Sequence, residues 1–200
     1  YCRVVYLDRT EGVSSSELRA ERGKVRFGIM GNSRVAEKYL RESRCVNGLE
    51  VVGACTTWPE TVAELPFLTT DYDALLARVD AVYIVSAPEQ HYAHIRHALE
   101  QGKHVLCEAP IALSQAQCRE LFALAKQNGC ILMDAIKTAY ATAYARLILL
   151  AKEGLLGDIY AVDATCTSLR TAMEKSWGSM YEWGPIALLP IFNLLGTEYR

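Results

Sequence analysis

From residue 24 onward, short runs that are apolar throughout alternate with longer stretches in which apolar residues recur at helical spacing. The runs Val25 to Met30, Leu49 to Cys55, Asp80 to Ser86, His104 to Cys107 and Cys130 to Met133 read as strands buried on both faces. Ser33 to Glu42, His91 to Gln101 and Ser114 to Asn128 read as the helices between them, with Ser114 as an N-cap and Gly129 just past a helix end. Strands and helices in this order predict an α/β fold, a doubly wound parallel sheet.

After Asp134 the pattern changes. A helix from Ala141 to Glu153 stops at Gly154, residues 158–169 read as a long β-segment rich in Thr and Val, and Gly184 to Gly196 reads as a helix with proline inside it. One long strand cannot form a sheet alone, so this second unit reads as the truncated start of a further domain. The division expected is residues 1–23 as a tail from upstream, 24–135 as the nucleotide-binding domain, and 136–200 as the incomplete start of a substrate and oligomerisation domain.

Composition narrows the function classes. Twenty-one Lys and Arg against 23 Asp and Glu leave no basic excess for a phosphate backbone, which argues against nucleic acid as a partner. No apolar run approaches the roughly 18 residues of a membrane span, and the charged first residues do not resemble a signal peptide, so the expected location is cytoplasmic. The seven cysteines are scattered, with no C-x-x-C pair, and read as reduced thiols.

The stretch from Gly28 to Ala36 carries the chemistry. Gly31 permits a sharp turn after the first strand, and the helix that follows offers free N–H groups and a positive dipole end to a diphosphate. Against the fingerprint G-x-G-x-x-G/A the chain has Gly31, Ser33 and Ala36, so a serine stands at the middle glycine. No Asp or Glu follows the second strand until Glu60, and Thr56, Thr57 and Arg34 are placed to meet a 2′-phosphate. That tilts the expectation from NAD toward NADP, against the plain reading of loop hydroxyls and a solvated arginine.

Four ordered stretches resemble the glucose-fructose oxidoreductase/inositol dehydrogenase family (Gfo/Idh/MocA) over roughly residues 24–196. They are Gly28-Ile-Met-Gly31-Asn32-Ser33-Arg34-Val35-Ala36, Ser86-Ala87-Pro88-Glu-Gln-His91, Gly102-Lys-His-Val-Leu-Cys-Glu108-Ala109-Pro110, and Glu153-Gly-Leu-Leu-Gly157. The resemblance implies a Rossmann domain followed by an α/β domain with an open sheet. It also implies NAD(P)-dependent oxidation or reduction of a sugar or polyol, and a homo-oligomer formed through that sheet. Gly28, Gly31, Asn32, Ser33, Arg34, Val35, Thr56, Thr57, Ser86, Ala87, Pro88, His91, Glu108 and Ala109 are the cofactor-binding candidates, with Glu108 near the cofactor ribose and His91 on the nicotinamide side.

The chain departs from the family at its catalytic positions. The lysine of the family's E-K-P is Ala109, and the later Asp and His align with Pro190 and Leu194. None of these can carry the hydroxyl proton that accompanies hydride transfer. Lys137, just past the last Rossmann strand, is the replacement candidate, where burial would lower its pKa, against the plain reading of a solvated lysine. Tyr140 is a second candidate donor, against helix packing. The alternative function is a catalytically inactive cofactor-binding module kept for sensing or assembly.

Three further features complete the reading. His91, His94 and His97 lack both the i, i+4 spacing and the carboxylates that a metal site would use. Trp177, Tyr181 and Trp183 read as second-domain packing, with a substrate pocket as the alternative. Arg9-Thr10-Glu-Gly12-Val-Ser14-Ser15 resembles the closing motif of the glycerol-3-phosphate cytidylyltransferase family, which implies a fused protein whose upstream domain binds CTP.

Overall fold

The computed structural model describes residues 23–167 and 178–198. The cytidylyltransferase-like segment and Trp177 lie outside these residues. Six strands form one sheet: β1 (Val25–Met30), β2 (Leu49–Cys55), β3 (Leu68–Thr69), β4 (Ala81–Ile84), β5 (His104–Cys107) and β6 (Leu132–Asp134). Their order across the sheet is β3-β2-β1-β4-β5-β6 and every pairing is parallel. This is the doubly wound α/β Rossmann arrangement that the sequence predicts. Chain direction across the sheet reverses between β1 and β4, the point where ligands bind in such folds.

Helices cover both faces: α1 (Val35–Ser43) on one, and α2 (Tyr72–Leu76), α3 (Pro88–Glu100) and α4 (Gln115–Gln127) on the other. Ala36 and Leu40 of α1 pack with Ile29 and Tyr83, while Ile95, Ala98, Leu99 and Leu121 pack with Val82, Ile84 and Val105. The central strand β4 is buried along its whole length, which is why its four residues read as a continuous apolar run. The Ser114 hydroxyl accepts from Gln117 N at 3.3 Å, and Gly129 takes φ +65° just past the end of α4.

Two elements lie where no element was expected. Asp71 caps α2 by accepting from Asp73 N and Ala74 N, and β3 extends the sheet by two residues. The helix expected from His91 begins three residues earlier: Pro88 opens α3 at the first helical position, where its missing N–H costs nothing. The predicted β-segment is corrected: residues 158–167 contain no strand, and those beyond lie outside the described residues. Its β propensity goes unused because no described strand lies alongside to pair with it. Beyond β6 come a 3-10 turn (Lys137–Tyr140), α5 (Thr142–Lys152) and α6 (Gly178–Leu195), the last holding Pro185 and Pro190. Among the described residues no helix is long and apolar enough to cross a membrane.

Candidate functional site

The carboxyl ends of the strands open into two cavities, of about 280 Å³ and 540 Å³, that share Ser86. The smaller lies at the end of β2, against Gly31, Asn32, Thr56, Thr57, Trp58 and Ala87. The larger lies over β5 and β6, against Ser33, Val35, Pro88, His91, Glu108, Ala109 and Lys137. Of the residues expected at the site, Gly28, Arg34 and Tyr140 line neither cavity. Gly28 is a packing glycine, since a Cβ there would lie 2.9 Å from the side chain of Leu75.

Gly31 lines the smaller cavity and abuts Ser86, the residue that the two cavities share. The Gly31 φ is +116°, and a Cβ would lie 2.4 Å from Ser86 N, closer than any side chain can approach backbone. Strand β1 and the β4 loop therefore meet at a point that only glycine permits. Immediately beyond, the amides of Asn32, Ser33 and Arg34 have no protein acceptor among the described residues. The Ser33 hydroxyl folds back to accept from Val35 N at 3.2 Å. A diphosphate is the kind of group that such unsatisfied donors at a helix N-terminus hold. A turn that runs from the smaller cavity at Gly31 and Asn32 to the larger at Ser33 fits a dinucleotide, one nucleotide to each.

The β2 end of the site is tied to the glycine loop by Asn32. Its Oδ1 accepts from Thr56 Oγ1 at 2.7 Å and from Thr57 N at 2.9 Å, and its Nδ2 donates to Thr57 Oγ1 at 2.7 Å. Trp58 N donates to Thr56 Oγ1 at 3.0 Å. On the wall shared by the cavities, Ser86 Oγ lies 2.9 Å from His94 Nδ1, and burial lowers the His94 pKa, favouring the neutral ring.

His91 is buried, with Nδ1 2.7 Å from the Pro110 carbonyl and Nε2 2.8 Å from the Ser86 carbonyl. It thus fastens the loop after β4 to the loop after β5. Sequence reasoning placed His91 beside the nicotinamide; the structure adds that both its nitrogens face backbone.

The Glu108 carboxylate accepts a hydrogen bond from Tyr83 Oη and lies 3.7 Å from Lys137 Nζ. Burial and the bond to Glu108 push the Tyr83 hydroxyl well above the usual tyrosine range, so it remains a proton donor in that bond. Tyr83 was missed from sequence because a tyrosine in an apolar strand reads as core; its ring does pack on Tyr39, with centroids 4.3 Å apart.

The burial expected around Lys137 is absent: its side chain is 65% exposed and faces Glu108, which is 26% exposed. Tyr140 instead donates to the Asp134 carbonyl at 3.1 Å. Trp183 and Glu182 of α6 close the larger cavity, so Trp183 lines the pocket rather than serving packing alone, whereas Tyr181 is exposed.

Residues 25–135 match the sequence profile of the oxidoreductase family with an NAD-binding Rossmann fold. The chain is similar to D-glucoside 3-dehydrogenase of Escherichia coli (strain K12), 32% identical over 163 residues that make up 77% of this chain and 46% of the relative. It is also similar to dTDP-3,4-didehydro-2,6-dideoxy-alpha-D-glucose 3-reductase of Streptomyces violaceoruber, 33% identical over 138 residues, 64% of this chain and 40% of the relative. Among solved structures it is similar to a 3-ketoreductase from Actinomadura kijaniata in complex with TDP-benzene and NADP, in its open conformation. That likeness has a TM-score of 0.76 at 26% identity and covers 87% of this chain and 57% of the other. The chain spans less than half the length of these two curated relatives.

Proposed function

This chain belongs to the oxidoreductase family with an NAD-binding Rossmann fold, and from that premise we propose that it is the cofactor-binding part of an NAD(P)-dependent oxidoreductase of a sugar or polyol. The observation that carries the reading is the contact at Gly31, where a Cβ would lie 2.4 Å from the backbone N of Ser86, the residue that borders both cavities. The relatives that act on glucosides and on a nucleotide-linked deoxysugar support the substrate class.

In this reading the amides of Asn32, Ser33 and Arg34 hold the diphosphate, and the larger cavity takes the nicotinamide with the substrate beside it. When bound, the dinucleotide supplies the hydride donor or acceptor. The protein must then move the proton of the substrate hydroxyl. Ala109 cannot do so, and Lys137 is the cation that lines this cavity. Tyr83 fixes Glu108, and Glu108 in turn draws the Lys137 ammonium toward the cavity floor. Thr138 and Trp183 bound the space left for a sugar ring. Residues 136–200 are, in the same reading, the start of the substrate domain.

Lys137→Ala in the full-length protein should lower turnover at least about 100-fold, the worth of a positioned acid or base, with dinucleotide affinity within about twofold of the parent. Retained turnover would refute the role of Lys137. Tight dinucleotide binding with no turnover on any sugar or polyol would instead favour a sensing or assembly module, the reading that the loss of the family's catalytic residues supports. The Arg9 to Ser15 motif supports a coupled CTP-dependent activity, tested by pyrophosphate release from CTP and a polyol phosphate.

A further inference from the structure

We infer that the cavity at the end of β2 selects the 2′-phosphorylated dinucleotide, and that Asn32 sets this choice by spending its own acceptor oxygen inside the protein and turning hydrogen-bond donors to the rim. The inference rests on the dinucleotide-binding reading above and specifies which dinucleotide is bound.

The orientation of the Asn32 amide follows from its partners. Thr57 N can only donate, so the atom 2.9 Å from it must be the amide oxygen. That oxygen also accepts from Thr56 Oγ1 at 2.7 Å, and both its lone pairs are used. Nδ2 therefore faces Thr57 Oγ1, to which it donates at 2.7 Å. Thr56 Oγ1, which gives its proton to Asn32 and accepts from Trp58 N at 3.0 Å, has no hydrogen to spare. Within the Asn32–Thr56–Thr57 group two hydrogens remain for a ligand: that of the Thr57 hydroxyl and the second hydrogen of Asn32 Nδ2, both on exposed residues.

A ribose diol is best held by an acceptor, the carboxylate that NAD-selective sites place after the second strand. Here no Asp or Glu lines the cavity. A phosphate monoester offers acceptor oxygens and negative charge, so it matches a rim of donors. Arg34 points the same way. It lies two residues beyond Asn32, is exposed, and has no carboxylate partner among the described residues. It also stands at the N-terminus of α1, where the helix dipole disfavours a cation. An anion bound nearby offsets that penalty.

The test is equilibrium binding to the full-length protein, followed by calorimetry and by emission of Trp58, which lines the cavity and is 45% exposed. The ligands are NADPH, NADH, 2′,5′-ADP and 5′-AMP, the last pair differing only in the 2′-phosphate. NADPH should bind about 10- to 100-fold more tightly than NADH, as one or two charge-assisted hydrogen bonds give, and 2′,5′-ADP should exceed 5′-AMP by a similar factor. Thr57→Val and Arg34→Ala should each narrow the NADPH-to-NADH ratio several-fold, chiefly by weakening NADPH, with the melting temperature near that of the parent. Thr57→Asp should reverse it. Equal affinities, or a preference for NADH, would overturn the selectivity while leaving dinucleotide binding intact. Binding of none of the four ligands would remove the dinucleotide reading, and this inference with it.

Discussion

Gly31 and Gly28 separate two roles that glycine plays within one motif. A Cβ at Gly31 would meet the backbone of Ser86, which cannot yield, at φ +116°; at Gly28 it would meet only the flexible end of Leu75. Gly31→Ala should therefore cost more than about 2 kcal/mol of stability in a urea melt and abolish dinucleotide binding. Gly28→Ala should cost about 1–2 kcal/mol through overpacking and keep binding within a few-fold. Tyr83→Phe keeps the ring against Tyr39 but removes the donor to Glu108. It should lower stability by about 1–2 kcal/mol and kcat more than the dinucleotide Kd, as read by melts and steady-state kinetics. At this scale the motif residues around the cavities were legible in the sequence because their backbone roles are local. The Tyr83–Glu108 pair was not, since it joins neighbouring strands 25 positions apart and a strand tyrosine announces nothing of its hydroxyl partner.

Strands β1, β2 and β5 end where the apolar runs end, because each run is bounded by charge or by turn residues. β4 is shorter than its run: Asp80 leaves the strand to accept from Arg26 N, Nε and Nη2, joining the starts of β1 and β4. Those hydrogen bonds hold the Asp80 carboxyl below its ordinary value of 3.8. The unfolded chain thus binds the proton more readily, so this contribution is present above that value and is lost as pH falls from it through the lower value of the folded state. Melts between pH 6 and pH 3 should show a decline that is shallower in Asp80→Asn, and equal slopes would contradict the assignment. Ser114→Ala should cost about 1 kcal/mol in a urea melt, the worth of an N-cap. β3 and α2, of two and five residues, are too short for periodicity to reveal, though Asp71 ahead of Tyr-Asp-Ala-Leu-Leu was a readable capping signal.

For the molecule as a whole, alternation of buried strands and amphipathic helices was enough to specify the sheet, because each parallel crossover demands a helix between strands. Residues 158–167 misled for the opposite reason: a strand needs a neighbour, and local propensity cannot supply one. NADPH at about 100 times its Kd should stabilise the fold by about 2.7 kcal/mol, an increment that Gly31→Ala should lose in a thermal melt. Because one serine, Ser86, borders both cavities, a dinucleotide laid across them would be gripped as a two-pronged chelate. Adenylate and nicotinamide mononucleotide offered separately should each bind feebly, whereas their covalent union gains the high effective molarity that tethering confers on the second prong. In that arrangement affinity would reside in the bridge between the halves as much as in either half.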